Sequence, residues 1–129
     1  MSQEPPAIAV AKAHVEAWSN HDWNKARCAL AADVRVTATT TMPAFPAADL
    51  TGVDQYMDGL VQFAQGLEPG TAQVVASVGD ERNALLMFTA RLAAGGPFGT
   101  GTLSGARLYL LDDDGRIKSE QVLFYAAPD

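Results

Sequence analysis

The chain has 129 residues, enough for one domain with a real core. Hydrophobic residues make up 48% and charged residues 19%, which argues against a disordered chain, and a net charge of -6 without a basic cluster argues against nucleic acid or an anionic membrane as partner. No apolar run approaches the roughly 20 residues that cross a bilayer, and no basic stretch precedes an apolar one at the start of the sequence, so a soluble cytoplasmic protein is expected.

Pro5 and Pro6 suit the start of a helix, where a missing N–H costs nothing. Ile8, Ala11, Val15 and Trp18 then recur at helical spacing, which predicts a helix over Ala7–Ser19. Asp22 is placed to cap a second helix, Trp23–Ala32, with Ala26, Ala29 and Leu30 inward. The lone cysteine, Cys28, falls in that helix and reads as a small buried or half-buried residue, in keeping with a reducing compartment. The β-branched run Val34–Thr41 predicts a strand. Met42–Leu50 carries Pro43 and Pro46 and predicts an irregular loop. Tyr56, Leu60 and Phe63, with Val53 and Met57 beside them, predict a third helix that ends at Gly66. After Pro69-Gly70 the period changes to that of strands, over Gln73–Val78, Ala84–Ala93, Thr100–Leu111 and Ile117–Ala126, and Asp114-Gly115 marks a tight hairpin. Helices gathered on one face of a largely antiparallel sheet make an α+β fold.

Three phrases in that order, AWSNHDWNKARCALAADVRV, LTGVDQYMDGLVQF and GARLYLLDDDGRIKSEQVLFY, resemble the nuclear transport factor 2-like (SnoaL-like) superfamily over nearly the whole chain. The resemblance implies a single cone-shaped domain over residues 1–129, three N-terminal helices on a curved antiparallel or mixed sheet, and a pocket between them. It also implies pairing of two copies through the outer sheet face, where Met87, Thr89 and Arg91 would lie. Known members include ketosteroid isomerases, polyketide cyclases and limonene epoxide hydrolases, and fold alone does not choose among these. Set against the isomerase motif, the base position holds Ala38, the tyrosine position His14 and the aspartic acid position Arg107. The cyclase and epoxide hydrolase carboxylates are likewise replaced, by Val122 and Tyr109.

Strand alternation therefore supplies the candidates. His14, Glu120 and Arg107 form a candidate catalytic group: a histidine beside a carboxylate suits acid–base chemistry near neutral pH, and an arginine suits a ligand oxygen. The alternatives are that Arg107 and Glu120 neutralise each other as a buried pair, and that His14 is a satisfied or surface histidine. Trp18, Met42, Phe45, Tyr56, Phe63, Phe88, Tyr109, Val122 and Phe124 are the candidate substrate-binding residues, in a mainly apolar cup. His21 beside the helix cap and Asp112-Asp113-Asp114 in the hairpin read as structural. No metal or cofactor motif is present in the sequence. The functional expectation is a cofactor-free cyclase, isomerase, dehydratase or hydrolase for a small hydrophobic molecule; a non-catalytic binding or dimeric accessory domain is the alternative.

Overall fold

The structure is a computed structural model, and it describes residues 4–40, 48–96 and 99–126. The first helix, α1 (Pro6–Ser19), has proline in its first turn and buries Ile8, Ala11, Val15 and Trp18, together with His14. The chain reverses at His21, whose φ of 59° is left-handed and whose ring stacks on Trp23 at 5.1 Å. Asp22 then caps α2 (Trp23–Cys28) by accepting the Lys25 backbone N–H at 3.3 Å.

The second helix stops at Cys28 rather than Ala32, because the sheet claims the next residues. The Ala29 carbonyl accepts the N–H of Ile117, and Leu30 pairs with Ile117 to begin β1 (Leu30–Thr40). Cys28 is exposed rather than buried, since α2 turns only Ala26 fully inward.

A further correction concerns the expected loop. Its last three residues, with Thr51, form β2 (Ala48–Thr51), which runs antiparallel to β1 from Arg35↔Thr51 to Ala38↔Ala48. Helix α3 (Val53–Gln65) comes next, and Gly66 ends it with an ordinary negative φ. The remaining strands are β3 (Gln73–Gly79), β4 (Asn83–Arg91), β5 (Thr102–Leu111) and β6 (Ile117–Ala126).

The six strands lie in the order β2-β1-β6-β5-β4-β3. Among the described residues only the β1–β6 pair is parallel, so the sheet is mixed. Alternation along β4 shows how the sheet is used: Ala84, Leu86, Phe88 and Ala90 are buried, whereas Leu85 and Met87 are exposed. On the buried face α1 packs over β3, β4 and β5, and α3 over β1 and β2. No helix among the described residues is long and apolar enough to cross a membrane.

Candidate active site

Two strand registers place the polar residues. Across β5 and β6, Arg107 lies opposite Val122 and Tyr109 opposite Glu120. Arg107 and Glu120 are therefore diagonal neighbours on the helix-facing side, within reach for a long side chain. The Arg107 Nη1 group donates to Glu120 Oε1, and the Tyr56 hydroxyl, from α3, donates to Glu120 Oε2. Both carboxylate oxygens are thus engaged, and Arg107 and Glu120 are 3% and 1% exposed.

Aromatic rings surround the guanidinium. Its Cζ lies 4.9 Å from the Trp18 ring centre, 5.2 Å from Phe88, 5.4 Å from Phe63 and 5.9 Å from Phe124. Such faces attract a cation by roughly 0.5–2 kcal/mol each, which offsets part of the cost of burial. Phe88 reaches this position because it faces Gly105 across the β4–β5 pair, where an added Cβ would come within 2.6 Å of the ring.

His14 stands behind this group on α1. Its ring is 5.9 Å from Tyr56 and 6.1 Å from Tyr109, and neither ring nitrogen has a hydrogen-bond partner among the described residues. At 1% exposure it is not a surface histidine, and no described residue satisfies its ring nitrogens. Burial pushes its pKa down to about 4; Glu120 acts to raise it and Arg107 to lower it. At neutral pH the imidazole is therefore uncharged. Burial also opposes the charge on Arg107, yet Glu120, Tyr109 and Tyr56 more than compensate, and its pKa lies above the usual arginine value. Burial, reinforced by Glu120, raises the pKa of both Tyr56 and Tyr109. The Tyr109 hydroxyl lies beside Arg107 but outside standard hydrogen-bond geometry.

A cavity of about 350 Å³ opens beside this cluster, between α3 and the strands β2, β1, β6 and β5. That is the low end of the range for small-molecule sites, about 300–1,000 Å³. Its wall is mainly apolar, with Val36, Ala38, Leu60, Phe63, Val122 and Phe124 prominent. Polar groups come from Arg107, Tyr56 and Gln62.

Among the residues expected to form a site, Arg107, Tyr56, Phe63, Val122 and Phe124 line this cavity. Glu120 is held behind Arg107 and Tyr56 rather than in the wall. Trp18 and Phe88 support the guanidinium, and His14 and Tyr109 are fully buried without reaching the cavity wall. Met42 and Phe45 fall outside the described residues. Sequence reasoning misses Ala48 and Leu50, since nothing local marks β2, and Gly59, which admits Leu50 against α3: an added Cβ would sit 2.7 Å from Leu50 Cδ1. A glycine in the middle of an otherwise apolar helix face is the available signal. Asp112 accepts the backbone N–H groups of Asp114 and Arg116, as a hairpin turn requires, and Asp113 pairs with Arg82. No group of three or more His, Cys, Asp or Glu side chains fit to hold a metal occurs among the described residues.

A mixed six-stranded sheet with helices on one face and a cavity between them is the architecture of the nuclear transport factor 2-like proteins, and solved structures of that kind superpose on the chain. One is a steroid delta-isomerase from Pseudomonas aeruginosa, with a TM-score of 0.68 and 19% identity, covering 99% of this chain and 84% of the other. An epoxide hydrolase from Mycobacterium tuberculosis, similar to the limonene type, gives a TM-score of 0.65 at 19% identity over 92% and 82% of the two chains. A protein proposed to be a ketosteroid isomerase, from Kribbella flavida, gives 0.73 at 17% identity over 96% and 81%. At such identities the likeness carries the fold and not the reaction. No curated protein matches the sequence. The sequence profile of the SnoaL-like domain matches residues 11–120, and the chain belongs to that family.

Proposed function

We propose that this chain is a cone-shaped domain that binds a small, mainly apolar molecule in its cavity and presents one polar end of that molecule to Arg107 and Tyr56. One observation carries the reading. Arg107 is at once a wall residue of an apolar cavity and the anchored partner of a buried carboxylate, so a strong donor is held in fixed orientation where water is scarce. A ligand oxygen would accept from it, while Phe63, Val122 and Phe124 would cover the apolar body. The direct test is saturable binding of a one-ring ketone, 4-phenyl-2-butanone, followed by NMR shifts of cavity residues. Binding should vanish in Val122→Trp, which fills the hollow. Equal binding by that variant would remove the site from the cavity.

A second reading is supported by the Tyr56–Glu120 contact. Tyr56 is the cavity-side member of a hydrogen bond to a buried carboxylate. The pair can take a proton from the carbon next to a ligand carbonyl. Tyr56 accepts that proton as its own passes to Glu120, and the negative charge appears on the carbonyl oxygen beside Arg107. Charge within the site is conserved, since Glu120 becomes neutral as the enolate forms. That is acid–base chemistry of the isomerase, cyclase, lyase or hydrolase kind without a cofactor, and His14 supports Tyr56 from behind rather than touching ligand. Deuterium uptake into 4-phenyl-2-butanone in D₂O, measured at saturating ketone and lost in Tyr56→Phe, is the expected result. Exchange no faster than buffer alone would leave a binding domain only.

Two copies of the chain would pair through the outer sheet face. The register puts Val78, Leu85 and Leu108 in one row across β3–β5, and Met87, Ala106 and Leu123 in the next across β4–β6. The centre of this face carries no charge, so it can meet itself without like-charge opposition in a protein of net charge -6.

A further inference from the structure

We infer that the cavity selects uncharged ligands bearing an acceptor oxygen, and that Glu120 is the residue that enforces the choice. This rests on the reading of the cavity as a ligand site. A buried arginine in an apolar pocket usually signals a carboxylate partner on the ligand, because the guanidinium fork fits a carboxylate in pairs of hydrogen bonds. Here that partner is already built into the protein. Glu120 Oε1 takes the Nη1 donor, and Tyr56 fixes the other oxygen so that the carboxylate cannot turn away.

The charge count then decides. Among the described residues the buried ionisable side chains are His14, Tyr56, Tyr109, Arg107 and Glu120. The two tyrosines and the deeply buried imidazole are uncharged, so one cation and one anion remain and the interior sums to zero. A ligand carboxylate at Arg107 would add a negative charge with no counter-charge of its own and would lie close to Glu120. Like charges brought together in a desolvated site are strongly disfavoured. An ammonium ligand fares no better: it would meet Arg107, and four aromatic faces that could hold a cation are occupied by that guanidinium. An uncharged carbonyl, amide or hydroxyl escapes both penalties. The cavity volume of about 350 Å³ sets the scale at one or two rings or a short chain.

An isosteric pair of probes, 4-phenylbutanamide and 4-phenylbutanoate, isolates charge from shape. At pH 7.5 the wild-type chain should bind the amide about a hundredfold more tightly than the acid, the scale that like-charge opposition reaches at an interface. Glu120→Gln keeps an acceptor for Tyr56 but leaves Arg107 unopposed, and it should reverse the order. If that variant does not fold, wild type alone still decides. Affinity for the acid should rise about fivefold between pH 7.5 and 6, as its protonated form becomes commoner, while the amide stays flat. An acid that binds wild type as tightly as the amide, or with no pH dependence, overturns the inference and leaves the pocket reading standing. Absence of binding by both probes and by the ketone sinks the pocket reading and this inference together.

Discussion

His14 is the residue whose environment is least forgiving. Its folded pKa of about 4 lies below the ordinary 6.5, so the unfolded chain binds a proton in this interval that the folded chain refuses. The stability held by the neutral ring is complete above pH 6.5 and is lost as pH falls from 6.5 to about 4. The linkage amounts to about 2 kcal/mol by pH 5 and at most about 3 kcal/mol in full. Urea unfolding at pH 7 and pH 5 checks this, with His14→Leu as control: the variant should lose about 2 kcal/mol less between the two pH values. Arg107 yields a second prediction. Arg107→Met strands the Glu120 charge in the interior and should cost about 3–5 kcal/mol, whereas Arg107→Met with Glu120→Gln should recover most of it. An additive double mutant would show that the two side chains do not depend on each other. The sequence made much of this pair legible, because strand alternation places Arg107 and Glu120 on one face. Tyr56 as the third member was legible only as a wall residue. It meets Glu120 across 64 positions of chain, and no local spacing encodes that contact.

Between elements, the register of β4 and β5 has a consequence for the site. Phe88 can lie under the guanidinium only because its cross-strand partner is Gly105, which leaves the ring its space. Gly105→Ala would press a methyl group against Phe88 Cε1 and Cζ, at 2.6 and 2.7 Å, and approach the Leu123 carbonyl at 3.2 Å. Overpacking of this kind costs about 1–3 kcal/mol. Gly105→Ala should therefore lower the urea midpoint, and Phe88→Leu in the same chain should restore part of it. A variant as stable as wild type would mean that Phe88 has room to move aside. The helices α1 and α3 and the four later strands were readable from period and turn residues, which are local signals. The errors share another origin. The end of α2 and the whole of β2 are decided by pairing with strands distant in sequence or by a partner strand across a proline-bearing segment, and four residues such as ADLT are too few to show a period.

For the whole molecule, the two faces of the sheet have unequal fates. One is covered by helices and encloses the cavity. The other leaves Leu85, Met87, Leu108 and Leu123 at 38–40% exposure, in adjacent rows of neighbouring strands. Grouped apolar side chains of this kind are commoner at interfaces than on free surfaces. A two-fold pairing of the face with itself would bury them without any new element, and stable interfaces of this class cover about 1,200–2,000 Å² in total. Sedimentation at tens of micromolar should accordingly give twice the chain mass. Leu108→Lys with Leu123→Lys should give a monomer, because it opposes four like charges in the paired assembly. The cavity lies on the other side of the sheet, so this monomer should still bind 4-phenyl-2-butanone. Loss of ligand binding together with dimerisation would instead mean that the outer face holds β5 and β6 in the register that joins Arg107 to Glu120. A wild type that stays monomeric at the highest attainable concentration would remove the paired assembly altogether.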